Sequence, residues 1–115
     1  MIQRKNDPFK NQWALPGGFL NKDEVLEDGA KKELEEETGL KVESLKHVGI
    51  FDSPKRDPRG RTISVAYYGF AKGTSKVKGS DDATKAEWFK INNLPALAFD
   101  HEEILKIALE NSVKK

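Results

Sequence analysis

Cysteine is absent from the 115-residue chain. That removes disulfides, thiolate zinc sites and a cysteine nucleophile together. Histidine is scarce: only His47 and His101 occur. A histidine-rich metal centre is therefore not expected, and any bound metal must rely on oxygen ligands. An excess of one charge is also missing, with 20 Lys+Arg against 19 Asp+Glu and a formal net charge of +1. Polyanion binders usually carry a clear basic excess, so no nucleic-acid partner is expected. No apolar run approaches the ~18 residues of a membrane-spanning helix, so no membrane partner is expected. The opening Met1-Ile2-Gln3-Arg4-Lys5 lacks the apolar core of a signal peptide, which makes a cytoplasmic protein the expectation. No internal repeat or low-complexity tract is present.

What the chain does have is charge. Charged residues make up 34% of it, above the usual ~25%, against 37% hydrophobic residues. Its length suits one domain spanning residues 1–115, with a modest core that needs no staples. Residues 1–5 read as a short strand and residues 6–11 as turn chemistry. Trp13-Ala14-Leu15 leads into Pro16-Gly17-Gly18, a sequence that neither a helix nor a central strand carries. Asn21 and Asp23 are candidate caps for a helix over residues 24–38, which Gly39 would stop. Strands are expected over 42–51, 62–71 and 86–91, with loops between them. Asp100 is the expected cap of a last helix that turns Ile104, Leu105, Ala108 and Leu109 inward. This is an α/β (α+β) pattern, an α/β sandwich of layers rather than a regular βαβ series.

The first helix carries an anomaly. With Leu26 set at 0° and about 100° per residue, Ala30 falls near ~40°, Glu33 near ~−20° and Glu37 near ~20°. Two carboxylates thus continue the apolar stripe that Leu26 and Ala30 begin. Glu36 lies beside them near ~−80°, and only Glu35, near ~180°, points fully away. The same carboxylates crowd the C-terminal end, where the helix dipole disfavours anions by about 0.3–1 kcal/mol each. Like charges four residues apart add a few tenths. A solvated face explains neither feature, whereas a divalent cation offsets both penalties. Clustered oxygen ligands select a hard ion, Mg²⁺ or Mn²⁺.

Gly18, Glu24, Lys32-Glu33-Leu34, Glu36-Glu37 and Gly39-Leu40 stand at the spacing Gly-x5-Glu-x7-Arg-Glu-U-x-Glu-Glu-x-Gly-U, where U is aliphatic. This resembles the Nudix box, here at residues 18–40, with Lys32 in place of the Arg. The similarity extends over about residues 3–105. The resemblance implies a Nudix-type α/β/α sandwich with a mixed β-sheet. It also implies a metal-dependent hydrolase that cleaves a nucleoside diphosphate linked to another group. Carried over by position, Glu33, Glu36, Glu37 and the Gly17 carbonyl are the metal ligands. Glu24 and Lys32 are the orienting pair. Glu36 or Glu37 is a candidate base, with the loop acids Asp81 and Asp82 as alternatives. Lys32 also stands one turn from Asp28 and Glu36 and is able to pair with them. Lys presents a point charge where Arg presents a planar fork, which predicts reduced but surviving activity. Gly29 weakens the helix and is expected to permit close packing on the sheet.

Residues 52–68 and Leu97-Ala98-Phe99-Asp100-His101 are similar to stretches in the ADP-ribose pyrophosphatase branch of the family. The expected substrate is a small nucleotide, ADP-ribose first, with AMP and ribose 5-phosphate as products. Nucleoside triphosphate cleavage and a non-hydrolysing sensor module are the alternatives. Arg56 and Arg59, with Arg61 beside them, suit phosphate recognition, as does Arg4. Gly18 is the further substrate contact. Phe9, Trp13 and Tyr68 are candidates for base stacking or for the core. His101 is expected to bond backbone at a helix start. Family members usually place a strand before the segment matching residues 1–5. A missing or shortened first strand would leave a sheet edge open, to be covered by a second copy in a homodimer or left bare.

Overall fold

The computed structural model describes residues 1–71 and 83–113. Its strands are β1 (Ile2–Arg4), β2 (Trp13–Ala14), β3 (Lys46–Phe51), β4 (Ser64–Tyr68) and β5 (Ala83–Ala86). Its helices are α1 (Leu26–Thr38) and α2 (His101–Val113). The strands form two antiparallel groups, β2-β1-β5 and β3-β4. One parallel bridge, Trp13 to Leu97, makes the pairing mixed.

Ile2 explains the first group. It faces Ala14 on one neighbour and Ala86 on the other, and all three are buried, with Ala98 beside them. Small alanines on each side let the three strands close on one large aliphatic chain. Burying a side chain of that size contributes about 1.5–3 kcal/mol. β1 is therefore hydrogen-bonded on both sides. Among the described strands of this group the edges are β2 and β5.

β4 touches both helices, and each of its five residues is half-buried. A strand shielded along both alternating faces has cover on each side, as in a layered sandwich. α2 also packs on β3, and its Ile104 is buried. Among the described residues no helix is long and apolar enough to cross a membrane.

Several boundaries differ from those the sequence suggests, each for a local reason. α1 begins at Leu26 behind Val25, which caps it without a side-chain bond. Asn21 instead donates its N–H to the Glu24 carboxylate, 2.9 Å away, so neither Asn21 nor Asp23 acts as the cap. β3 starts at Lys46 because the Leu45 N–H is taken by Glu27, at 3.2 Å. β5 ends at Ala86, and its pairing extends only to Glu87, whose N–H donates to the Met1 carbonyl. Beyond it Trp88 and Ile91 are exposed. Asp100 does not cap α2 with its side chain; its carboxylate turns to Arg56. Gly39 does stop α1, at φ 78°, a left-handed conformation that only glycine enters cheaply.

Candidate active site

The site is built where the 13–18 segment leaves β2 and meets the last turn of α1. The Gly17 N–H donates to Glu37 Oε1 at 2.8 Å. Glu37 is 8% exposed, so the helix buries a carboxylate where amphipathic patterning alone would place an apolar residue. Glu33 lies one turn earlier, against Gly18. A Cβ on Gly18 would sit 2.5 Å from the Glu33 carboxylate, so only glycine leaves that group in place. Glu36 is exposed beside them. Glu35, on the far side, pairs with Lys41 at 3.6 Å. The inward order Glu33, Glu37 thus follows the 3.6-residue repeat.

Lys32 turns to Glu24, with Nζ 3.3 Å from Oε2, and not to Asp28 or Glu36. The Asn21 N–H and then Lys32 hold the Glu24 carboxyl below its usual range. Gly29 lies under this pair: a Cβ there would meet Leu20 Cδ1 at 2.8 Å and Glu24 Oε1 at 3.5 Å. Its openness therefore admits the box loop, not the sheet. Asp81 and Asp82 lie outside the described residues.

The donor set is oxygen throughout, as a hard divalent ion requires. Among the described residues no three acidic or histidine side chains are already gathered into a cage. A cavity of about 420 Å³ lined by Leu40, Val42, Tyr68 and Phe70 includes none of these acids.

The basic residues divide. Arg56 has a side chain only 4% exposed and gives Nε and Nη2 to the two oxygens of Asp100, both at 2.8 Å. It braces the 52–62 loop against the start of α2, and its guanidinium is not presented to a ligand. Arg59 is half-exposed and folds back on Asp57, with Nη2 2.8 Å from Oδ2. Arg59 holds the Asp57 carboxyl down at about 2. The Arg59 and Arg4 guanidinium carbons stand 5.1 and 4.9 Å from the centre of the Phe99 ring. Phe99 has φ 53°, an uncommon conformation for a bulky residue. Of the aromatics, Phe9 packs on Phe99 and Trp13 on Phe89, each with centroids 4.8 Å apart. Tyr68 stacks edge-on to Phe70.

His101 is the residue whose connection sequence reasoning missed. It does bond backbone at the start of α2, but the donor is the Leu15 N–H, 3.0 Å from Nδ1 and 86 positions away. Burial, more than the neighbouring Arg56 and Arg4, pushes its pKa down to about 4, against the opposing pull of Asp100. The imidazole is therefore neutral and able to accept.

A family description, the NUDIX domain, matches residues 1–108. The chain belongs to the Nudix family. It is 51% identical over 108 residues to an ADP-ribose pyrophosphatase of Methanocaldococcus jannaschii, covering 92% of this chain and 62% of that protein. It is 36% identical over 112 residues to the ADPR responsive transcriptional repressor NtrR of Acinetobacter baylyi, covering 94% and 45%. A bifunctional NMN adenylyltransferase/ADP ribose pyrophosphatase of Francisella tularensis, solved with AMP and a Mn ion, superposes with a TM-score of 0.83 at 35% identity. That match covers 96% of this chain and 37% of the other. The chain thus spans about half the length of the curated relatives it matches. In this Nudix box Glu37 is bonded to Gly17, Glu33 lies against Gly18, and Glu24 is paired with Lys32.

Proposed function

We propose that this Nudix domain hydrolyses ADP-ribose to AMP and ribose 5-phosphate with Mg²⁺ or Mn²⁺. The observation that carries the reading is the Glu37 carboxylate, buried and held by the Gly17 N–H beside Glu33. Carboxylates near a helix C-terminus are disfavoured by the helix dipole, and a bound cation would offset that cost. The likeness to an ADP-ribose pyrophosphatase over most of the chain supports the substrate.

Glu33, Glu36, Glu37 and the Gly17 carbonyl would hold the ion. When bound, it supplies neutralisation of the diphosphate oxygens and activation of water. The Glu24–Lys32 pair fixes the loop that enters α1. Gly18 lets the substrate approach the backbone, and Arg4 and Arg59, flanking Phe99, offer charge to its phosphates or terminal ribose. Arg56 acts on the substrate only through the loop it braces. In the reaction a water oxygen attacks one phosphorus and the bridging P–O bond breaks. The water proton passes to a carboxylate, Glu36 or Glu37, or Asp82 from outside the described residues.

Incubation with ADP-ribose and Mg²⁺ tests this directly, with AMP release as the expected result. The likeness to NtrR favours one second reading, a sensor that binds without cleaving. Tight binding with no AMP release establishes that reading instead. A panel including nucleoside triphosphates separates the third possibility. Glu37→Gln keeps an oxygen for the Gly17 N–H but removes the charge. It should lower turnover at least about 100-fold while the melting temperature holds. Unchanged turnover overturns the role given to Glu37.

A further inference from the structure

The segment that delivers Gly17 to Glu37 is held by three hydrogen bonds at alternate residues. The Trp13 N–H donates to the Ala96 carbonyl at 3.2 Å, the Leu15 N–H to His101 Nδ1 at 3.0 Å, and the Gly17 N–H to Glu37 Oε1 at 2.8 Å. Alternation is what an extended chain produces, since every second residue turns to the same side. Pro16 falls between the rungs, where no donor is needed.

The acceptors change along this edge for a topological reason. Backbone serves at Trp13, where Ala96 and Ala98 run alongside. At His101 that neighbouring segment turns into α2, so no extended carbonyl reaches Leu15. The imidazole supplies the missing rung, and the next acceptor is the Glu37 carboxylate itself. The ring also packs against Phe99, with 5.5 Å between centroids. The Arg56–Asp100 pair clamps the residue before it.

We propose that His101 is a positioning residue of the active site. As the middle rung it sets the Leu15–Gly17 backbone, so that the Gly17 N–H meets Glu37 and the Gly17 carbonyl would be held ready for a bound ion. It touches neither substrate nor metal, and it works only as a neutral acceptor at Nδ1. The link to catalysis rests on the function proposed above, whereas the link to Gly17 geometry does not.

Two amides of similar polarity separate these claims. In His101→Asn the side-chain oxygen reaches the position of Nδ1; in His101→Gln it reaches that of Nε2. Amide hydrogen exchange is read by NMR on the ligand-free protein. In His101→Gln the Gly17 amide should exchange at least about 10-fold faster than in wild type, with the Ile2 amide unchanged. His101→Asn should restore wild-type protection. Binding of Mn²⁺ alone, followed by its paramagnetic effect, should weaken about 10-fold in His101→Gln and recover in His101→Asn. Turnover of ADP-ribose should fall in kcat with little change in KM and show the same recovery. Equal Gly17 exchange in all three proteins overturns the proposal, as does an Asn variant no better than Gln. A wild-type protein that releases no AMP overturns the proposed function, while the exchange comparison still decides the role of His101.

Discussion

Acid should destabilise this protein through one histidine, and the size of the effect follows from the His101 environment. His101 has a folded pKa of about 4, against 6.5 for a free imidazole. Between these values the unfolded chain binds a proton that the native chain refuses. Stability therefore rises with pH across that window and is lost as pH falls from about 6.5 towards about 4. One pKa unit corresponds to about 1.4 kcal/mol, so the full window is worth about 3 kcal/mol, and the part between about pH 7.5 and pH 5 about 2 kcal/mol.

The comparison that isolates this contribution is wild type against His101→Asn. Asn keeps an acceptor for the Leu15 N–H and does not titrate, while the carboxylates that also protonate in acid are common to both proteins. Urea unfolding at several pH values gives each curve. With a typical slope of about 1–3 kcal/mol per molar urea, the wild-type midpoint should fall by about 1 M more than that of the variant on going to pH 5. Curves that stay parallel down to about pH 4.5 refute the argument. They would mean that the imidazole titrates as it does in the unfolded chain and that Nδ1 is not a committed acceptor.

Further expectations concern the box and its brace. Lys32→Arg replaces a point charge 3.3 Å from Glu24 with a planar fork. It should raise kcat/KM about 2- to 10-fold, and a flat or lower value overturns the orienting argument. Gly18→Ala places a Cβ 2.5 Å from the Glu33 carboxylate, which lies at the end of a flexible side chain. That carboxylate should swing away, lowering turnover about 10- to 100-fold while the melting temperature barely moves. Arg56→Ala leaves Asp100 without its bidentate partner. It should cost about 3 kcal/mol in urea unfolding, without raising KM in protein that remains folded, whereas a large KM increase would return Arg56 to the substrate site.

The parts of the site legible in the sequence are those carried by local period. Placing Glu33 and Glu37 on one helix face needs only 3.6 residues per turn, and Gly39 marks its own stop. Leu26, expected to begin an inward apolar stripe, is instead 45% exposed because it opens the helix in its first turn. What local pattern does not reveal is the partner. Arg56 reads as a ligand for phosphate because Asp100 is 44 positions away. Gly29 reads as a sheet contact because the return of Leu20 over the helix is a tertiary event. The 86–91 stretch has strand chemistry, yet a strand forms only where a neighbour offers a ladder, and pairing with β1 ends at Glu87. His101 shows both sides: a backbone bond at a helix start was readable, but its donor was not.

The near-zero net charge takes on meaning at this scale. The charges form local groups, with carboxylates in the last turns of α1 and two guanidinium groups around Phe99. The two groups are not independent, because the segment from Trp13 to Gly17 is hydrogen-bonded towards both. At one end Gly17 is bonded to Glu37, and in the middle Leu15 is bonded to the residue two after Phe99. A shift of α2 would thus displace the basic cluster and the Gly17 peptide together. A diphosphate held between cation and guanidinium needs both distances fixed at once, and positioning to within ~1 Å can decide about 100-fold in rate. One rigid track satisfies that demand more simply than two separately folded loops. It also places the rung that joins them, His101, among the residues a fold-level comparison would pass over, since its side chain performs no chemistry of its own.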